Sequence, residues 1–268
     1  MNERMNKDEK EALVDLLFQL ADDDFLYAFR GSEWLGLVPH IEEDVASASI
    51  TQDSMGHANM FFAILQDLNI GSCDKLAHAR KPAERRNCIL VERVNGPGDY
   101  SENPRFDWAY AVCRNFLYSV AKKVKMQSLK SSSYGPLSHI ATRVLMELYY
   151  HELHWRTWFI QLVNAEGEGR NRMVAALQQV MADCHDLFHL GSYAGQIVDS
   201  GLIDEEITLY KGWKEELALI MERASLSLPE HGIQQGHNNG RLGDHTEDLQ
   251  QALLILSEVY ATDEKAIW

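Results

Sequence analysis

The sequence predicts an all-α protein, and three observations carry that prediction. Apolar side chains recur at helical spacing through seven separate segments. The one short run with strand character, Ile89-Leu90-Val91, stands alone in a stretch punctuated by Gly and Pro, so no βαβ unit is expected. The long helical segments are joined by short turns, the pattern of antiparallel helix neighbours. At 268 residues the chain is long enough for one large core, or at most two small ones. Residues 1–268 are expected to form a single helical domain, with the tail 227–268 docked on its body.

The first helix is expected near 8–37, where Leu13, Leu16, Leu17, Leu20, Asp24 and Tyr27 fall at helical spacing. Asp24 lies within that stripe and Asp23 beside it; unpaired Asp is seldom buried, so this acidic run is expected to face solvent at one edge. Pro39 marks the turn to a second helix that runs to about Asn69. Glu42, Glu43 and Asp44 crowd its first turn, where they complement the positive end of the helix. Asp53 and His57 follow, one turn apart on a face shared with Ala46, Ile50, Phe61, Ile64 and Leu68. Residues 71–105 hold Gly71, Pro82, Gly96, Pro97, Gly98 and Pro104, and read as a long connection with one extended piece or turn. A connection that long is unusual within a compact domain and is a candidate contact surface.

A third helix is expected over 104–127, striped by Phe106, Ala109, Cys113, Phe116, Val120 and Val124. Lys122, Lys123, Lys125 and Lys130 gather near its end, where solvated cations suit the helix dipole; phosphate contact is the less favoured alternative. The fourth helix, about 135–165, sets Ile140, Val144, Glu147, His151, His154, Trp158 and Leu162 on one face. The fifth, about 170–199, carries Asp186 and His189 three residues apart, and a sixth follows near 204–226. Asp244-His-Thr-Glu247 has capping-box spacing ahead of a last helix striped by Leu249, Leu253, Leu256 and Tyr260.

Composition excludes several classes. Asp plus Glu outnumber Lys plus Arg by 40 to 25, a net charge of −15. A field of that sign repels nucleic acid and anionic lipid, so neither is expected as a partner. No apolar run reaches the roughly 18 residues of a membrane span, and the charged N-terminus lacks a signal-peptide pattern. Four scattered cysteines without C-x-x-C spacing point to a reducing cytoplasm.

Counting from the turns puts Asp53 level with the neighbourhood of Asp24, and Glu147 level with Asp186. Four helices could thus bring Asp24, Asp53, Glu147, His151, Asp186 and His189 into one layer, with His57 close by. Such a layer has the chemistry of a carboxylate-bridged dimetal centre, which uses a single Glu on two helices and Glu-x-x-His on the other two. Glu147 with Asp186-x-x-His189 fits half of that pattern. The other half fails, because the histidine expected three residues after Asp53 is Gly56. Gly in a helix interior costs about 1 kcal/mol against Ala, so Gly56 is expected to allow close packing by a neighbouring helix. His57 points about 100° away from the missing ligand.

The run Gly31-Ser-Glu33-Trp34-Leu-Gly36, then Glu43-Asp44 and Asp53-x-x-Gly56-His-Ala58, resembles the PaaC family, the structural subunits of bacterial phenylacetyl-CoA epoxidases. So do Leu90-Val91-Glu92 with Asn95-Gly96, Asp107-Trp108-Ala109, Glu147-x-x-Tyr150-His151 and Gly243-Asp-His245-Thr246-Glu247, in order along essentially the whole chain. The resemblance implies a ferritin-like four-helix bundle core with additional helices and no working dimetal centre. It implies a hetero-oligomer with a homologous catalytic subunit, which holds the iron and forms the 1,2-epoxide of phenylacetyl-CoA with O2, using electrons from a reductase. In that setting this chain is structural: catalytic residues, metal and cofactor are none in this chain. Asp24, Asp53, His57, Glu147, His151, Asp186 and His189 become remnants of an ancestral site. The extra histidines His57, His154 and His189 keep adventitious metal open, and the chain alone could pair as a homodimer. An active dimetal oxidase or oxygenase with an unusual ligand set is the alternative, and a stand-alone ferritin-like protein is the third reading.

Overall fold

The computed structural model describes residues 6–98, 100–228 and 238–266. They are all-α, with no strand among the described residues, and their long antiparallel helix pairs belong to the ferritin-like class expected. The ten α-helices among the described residues are α1 (Lys7–Ser32), α2 (Ile41–Asp67), α3 (Cys73–His78), α4 (Ile89–Glu92), α5 (Trp108–Leu129), α6 (Gly135–Val163), α7 (Glu168–Ala182), α8 (Ala194–Asp199), α9 (Glu206–Arg223) and α10 (Glu247–Thr262). They divide into two compact units. One comprises the described residues of Met1–Val94, Leu190–Ile197 and His237–Trp268; the other those of Asn95–His189 and Val198–Gly236.

In the first unit α1 starts at a reciprocal cap: the Asn6 side chain accepts from Glu9 N–H and the Glu9 carboxylate accepts from Asn6 N–H, each at 2.9 Å. The helix is buried almost continuously from Ala12 to Arg30 because α2 covers one side while α4, α10 and the turn at Gly191–Tyr193 contact others. The α1–α2 pair is tight where Gly31 faces Thr51: a β-carbon on Gly31 would lie 2.5 Å from Thr51 Oγ1. Gly56 has the opposite role to the one expected. It is exposed, and an added β-carbon would meet nothing within 4 Å. Gly56→Ala is therefore expected to raise the unfolding free energy by about 0.5–1 kcal/mol, read by urea denaturation; an unchanged or lowered value would contradict this placement.

The 71–105 segment, expected as a long connection with one extended piece or turn, contains α3, a 3-10 turn at Pro82–Glu84, and α4, so Ile89-Leu90-Val91 is a helical turn. The N-cap of α4 is held from outside, since Cys88 N–H donates to Asp23 Oδ1 at 2.8 Å. At the other end of the chain, α10 packs on α1, α3 and α4. The capping box expected at Asp244 does not form: Thr246 is the N-cap residue, and its N–H and hydroxyl are engaged by Glu92.

In the second unit α5 is buried on nearly every side. It is capped by Asp107, whose carboxylate accepts from Ala109 N–H. α6 runs antiparallel to it, with Phe116 stacked on Phe159 at 4.7 Å. Trp213 of α9 donates its indole N–H to Leu117 O, and the Cys113 thiol of α5 reaches Met173 O of α7. The buried stripe of α6 is Leu137, Ala141, Val144, Leu148, Glu152, Trp155, Phe159 and Val163, with His151 beside it. Ile140, Glu147, His154, Trp158 and Leu162, expected on the core face, are only partly buried at its margin. The expected fifth helix is interrupted: α7 ends at Ala182 and α8 starts only at Ala194. Asp183, Cys184, His185 and Asp186 are weak helix formers, and the chain there makes i→i+3 turns, Leu187 N–H to Cys184 O and His189 N–H to Asp186 O.

Candidate functional site

The residues expected at a metal layer lie in both units. In the first, Asp24 and His57 are buried and Asp53 is partly exposed. Gly31 against Thr51 and Phe25 against Phe62, 6.1 Å between ring centroids, fix the α1–α2 register. That register sets Asp24 level with the turn beyond His57, not with Asp53 as the count from Pro39 suggested. The buried face of α2 carries Ser54, His57, Ala58 and Phe61, whereas position 56 faces solvent. A histidine there would point away from the buried side, so this helix does not fit half of a dimetal centre.

In the second unit Glu147 and His151 share one face of α6, but the Glu147 side chain is 33% exposed and lies 3.9 Å from Arg143. Asp186 is buried and His189 partly buried, both beyond the end of α7. Their i, i+3 spacing therefore belongs to a turn, and the paired-ligand geometry of a helical Asp-x-x-His is not realised. Among the described residues, no three His, Cys, Asp or Glu side chains converge in a group that could hold a metal ion.

A densely built polar cluster in the first unit is one that sequence periodicity did not reveal. Asp22, Asp23 and Asp24 are all buried, which corrects the expected solvent-facing acidic run. Asp22 receives the Arg80 guanidinium in a two-pronged contact, Arg85 Nη1 at 3.0 Å and Arg86 N–H at 2.9 Å. Burial pushes the Asp22 carboxyl up, but the Arg80 and Arg85 charges and these hydrogen bonds outweigh it and hold the group below the usual Asp value. Asp23 is held by Arg241, whose Nη1 and Nη2 donate to its two oxygens at 2.9 and 2.7 Å. Asp15 is the contrasting case: burial raises it, only partly offset by Gln19 and Arg86.

Glu92 forms the second knot. Its Oε1 accepts from the N–H and hydroxyl of Thr246 at 2.7 and 2.8 Å, and its Oε2 accepts from Asn87 Nδ2 at 2.8 Å and faces His245 Nδ1 at 2.7 Å. Arg30 donates to the main-chain carbonyls of Glu92 and Asp248, fastening α4 and α10 to α1. The two loops approach so closely that a β-carbon on Gly240 would collide with Asn87 O. These contacts join Leu90-Val91-Glu92 to His245-Thr246, two of the motifs on which the family resemblance rests. The cluster is a clamp: Asp22, Asp23 and Glu92 each face a named cation or donor.

Lys130 at the end of α5 is exposed as expected, but the other three lysines there differ from expectation. Lys122 and Lys125 are buried, Lys125 Nζ lies 5.8 Å from the Phe188 ring, and Lys123 bridges Glu152 and Glu216 at 3.7 and 3.0 Å. They brace helices rather than present a solvated basic patch. No helix among the described residues is long and apolar enough to cross a membrane.

The chain is 26% identical over 238 residues to the C subunit of the 1,2-phenylacetyl-CoA epoxidase of Escherichia coli (strain K12), a match covering 88% of this chain and 91% of that protein. The family model described as phenylacetic acid catabolic protein matches residues 1–268. Matched from end to end, the chain belongs to the family of phenylacetic acid catabolic proteins.

Proposed function

We propose that the chain is the non-catalytic structural subunit of a multicomponent phenylacetyl-CoA epoxidase, stabilising a homologous catalytic dimetal subunit in aerobic phenylacetate degradation. Similarity along nearly its whole length to the C subunit of such an epoxidase supports the assembly part of this reading. The observation that carries the non-catalytic part is the ligand pattern. Position 56 is a solvent-facing Gly, and Asp186 and His189 lie in a turn beyond α7. In the first unit the buried carboxylates of Asp22 and Asp23 are engaged by arginine, which suits a scaffold that must keep one shape. Iron and the oxygen chemistry then belong to the catalytic partner.

The buried His57, His151 and Asp186 keep a second reading specific: a dimetal oxidase with an unusual ligand set. Co-expression with the homologous catalytic subunit separates the two. The expected result is a stable complex, with iron retained when only the catalytic subunit's ligands are intact, and a free chain carrying substoichiometric iron or manganese. A free chain that holds two equivalents of either metal, and loses them on Glu147→Ala, would sink the scaffold reading.

A further inference from the structure

The two halves of α10 are held differently. Its buried residues, Leu249, Ala252 and Leu253, all lie in the first half, and from Leu254 to Thr262 every side chain is partly or fully exposed. His78 of α3 reaches this second half. Its Nδ1 lies 2.9 Å from Leu256 O, and its ring stacks on Tyr260 at 5.7 Å between centroids, the planes 25° apart. The same ring meets Phe25 of α1 edge to face at 5.5 Å. Leu256 and Tyr260 are one turn apart, so a single imidazole grips one face of α10 by a carbonyl and a ring. A carbonyl only accepts, which places the hydrogen on Nδ1 and makes Nε2 the atom that takes up a second proton. We propose that His78 is a proton-operated latch: the neutral ring holds residues 254–262 against α3, and a proton on Nε2 releases them.

The surroundings oppose a charge on the docked ring. Burial between α1 and α10 lowers its pKa below the ordinary histidine value, and the nearby Arg85 cation lowers it further; Leu256 O and Asp74 favour the charge without cancelling these. The remaining charges nearby are already engaged or turned away. Asp22 of α1 is taken by Arg80 and Arg85, and Glu84 of the 3-10 turn accepts from Lys81 N–H. Lys75 of α3 is exposed, as is Glu258 of α10, about 200° around the helix from Leu256. Once α10 has detached, the ring stands in water and protonates as an ordinary histidine does. The latch is therefore fully closed above the ordinary value of 6.5, and its hold is lost as pH falls from there through the lower value of the docked ring. Ordinary carboxylates titrate about two units lower. The first half of α10 stays in place, because Leu249 and Leu253 are buried and Glu92 holds Thr246.

The test is hydrogen exchange on the full chain at about pH 7.5 and about pH 5.5, either side of the ordinary histidine value, with each rate divided by that of the unfolded chain at the same pH. Protection at residues 256–262 should fall about twofold or more in acid, while that of Leu249–Leu253 holds. His78→Gln keeps a donor for Leu256 O and takes up no proton, so its protection at 256–262 should be the same at both pH values. His78→Phe keeps a ring against Tyr260 without the donor, and should leave the segment weakly protected and equally so at both. A segment as well protected in acid as near neutrality, or unprotected at both, overturns the latch. So does a pH response that survives in either variant, or one in which Leu249–Leu253 opens together with the second half.

Discussion

Asp22→Ala is expected to lower the unfolding free energy by about 3–5 kcal/mol, the cost of removing one partner from a buried ion pair. The side chains of Asp22 and Arg85 are both fully buried, and Arg80 is nearly so. The alanine would leave two guanidinium groups without their carboxylate and the Arg86 N–H without its acceptor. Domains typically hold only about 5–15 kcal/mol in total, so such a variant should be visibly compromised in urea titrations. The same carboxylate gives the acid limb of stability its slope. Its folded pKa lies below the ordinary 3.8, so its contribution is fully present above that value and is lost as pH falls through the lower, folded one. The stability difference between the parent and Asp22→Ala should therefore be constant at neutral pH and shrink below about pH 4. A loss under about 1 kcal/mol, or a difference that does not change on acidification, would mean the cluster is not the clamp its geometry describes.

Glu92→Ala has the second largest expected effect, about 1–3 kcal/mol for leaving buried donors without their acceptor, and its signature is local. The alanine removes the acceptor shared by Asn87, Thr246 and His245, so the grip on the start of α10 is lost first. Hydrogen exchange should show reduced protection at Leu249–Leu253 while α1 and α2 keep most of theirs. Glu92→Gln retains an acceptor oxygen and should fall between. Uniform loss of protection across the first unit, with α10 no worse than α1, would contradict a local role.

The helices are legible in the sequence wherever apolar spacing is sustained. α2, α5, α6 and α9 lie within a few residues of their expected bounds, because periodic burial specifies a helix without reference to any partner. The pairing of charges is not legible. Asp22 and Asp23 resemble a solvated edge because Arg80, Arg85 and Arg86 come some 60 residues later and Arg241 more than 200 later. All four sit in stretches without periodicity, where nothing local marks a residue as a partner. α6 shows a different limit: two adjacent rows of large side chains both satisfy helical spacing, and only packing on α5 selects Leu148, Trp155 and Phe159 over Glu147, His154 and Trp158. Gly56 does stand where a ligand histidine is missing, but the close helix approach expected of it belongs to Gly31. Asp186 and His189 mislead because i, i+3 spacing is common to helices and turns.

The first unit is stitched from three separate parts of the chain, and this has a consequence for how it is made. Synthesis delivers α1 with its three consecutive aspartates long before Arg241, and α4 before Thr246; the partners are 218 and 154 residues apart. Until the segment from Asn238 onward leaves the ribosome, Asp23 and Glu92 lack those contacts, and water is the better solvent for their charges. The α5, α6, α7 and α9 helices have emerged by then, so the half of the molecule that starts first is expected to finish last, with the slow closure typical of long-range contacts. Pulse-labelled nascent chains would show this as late protease resistance of α1, gained only with the last thirty or so residues.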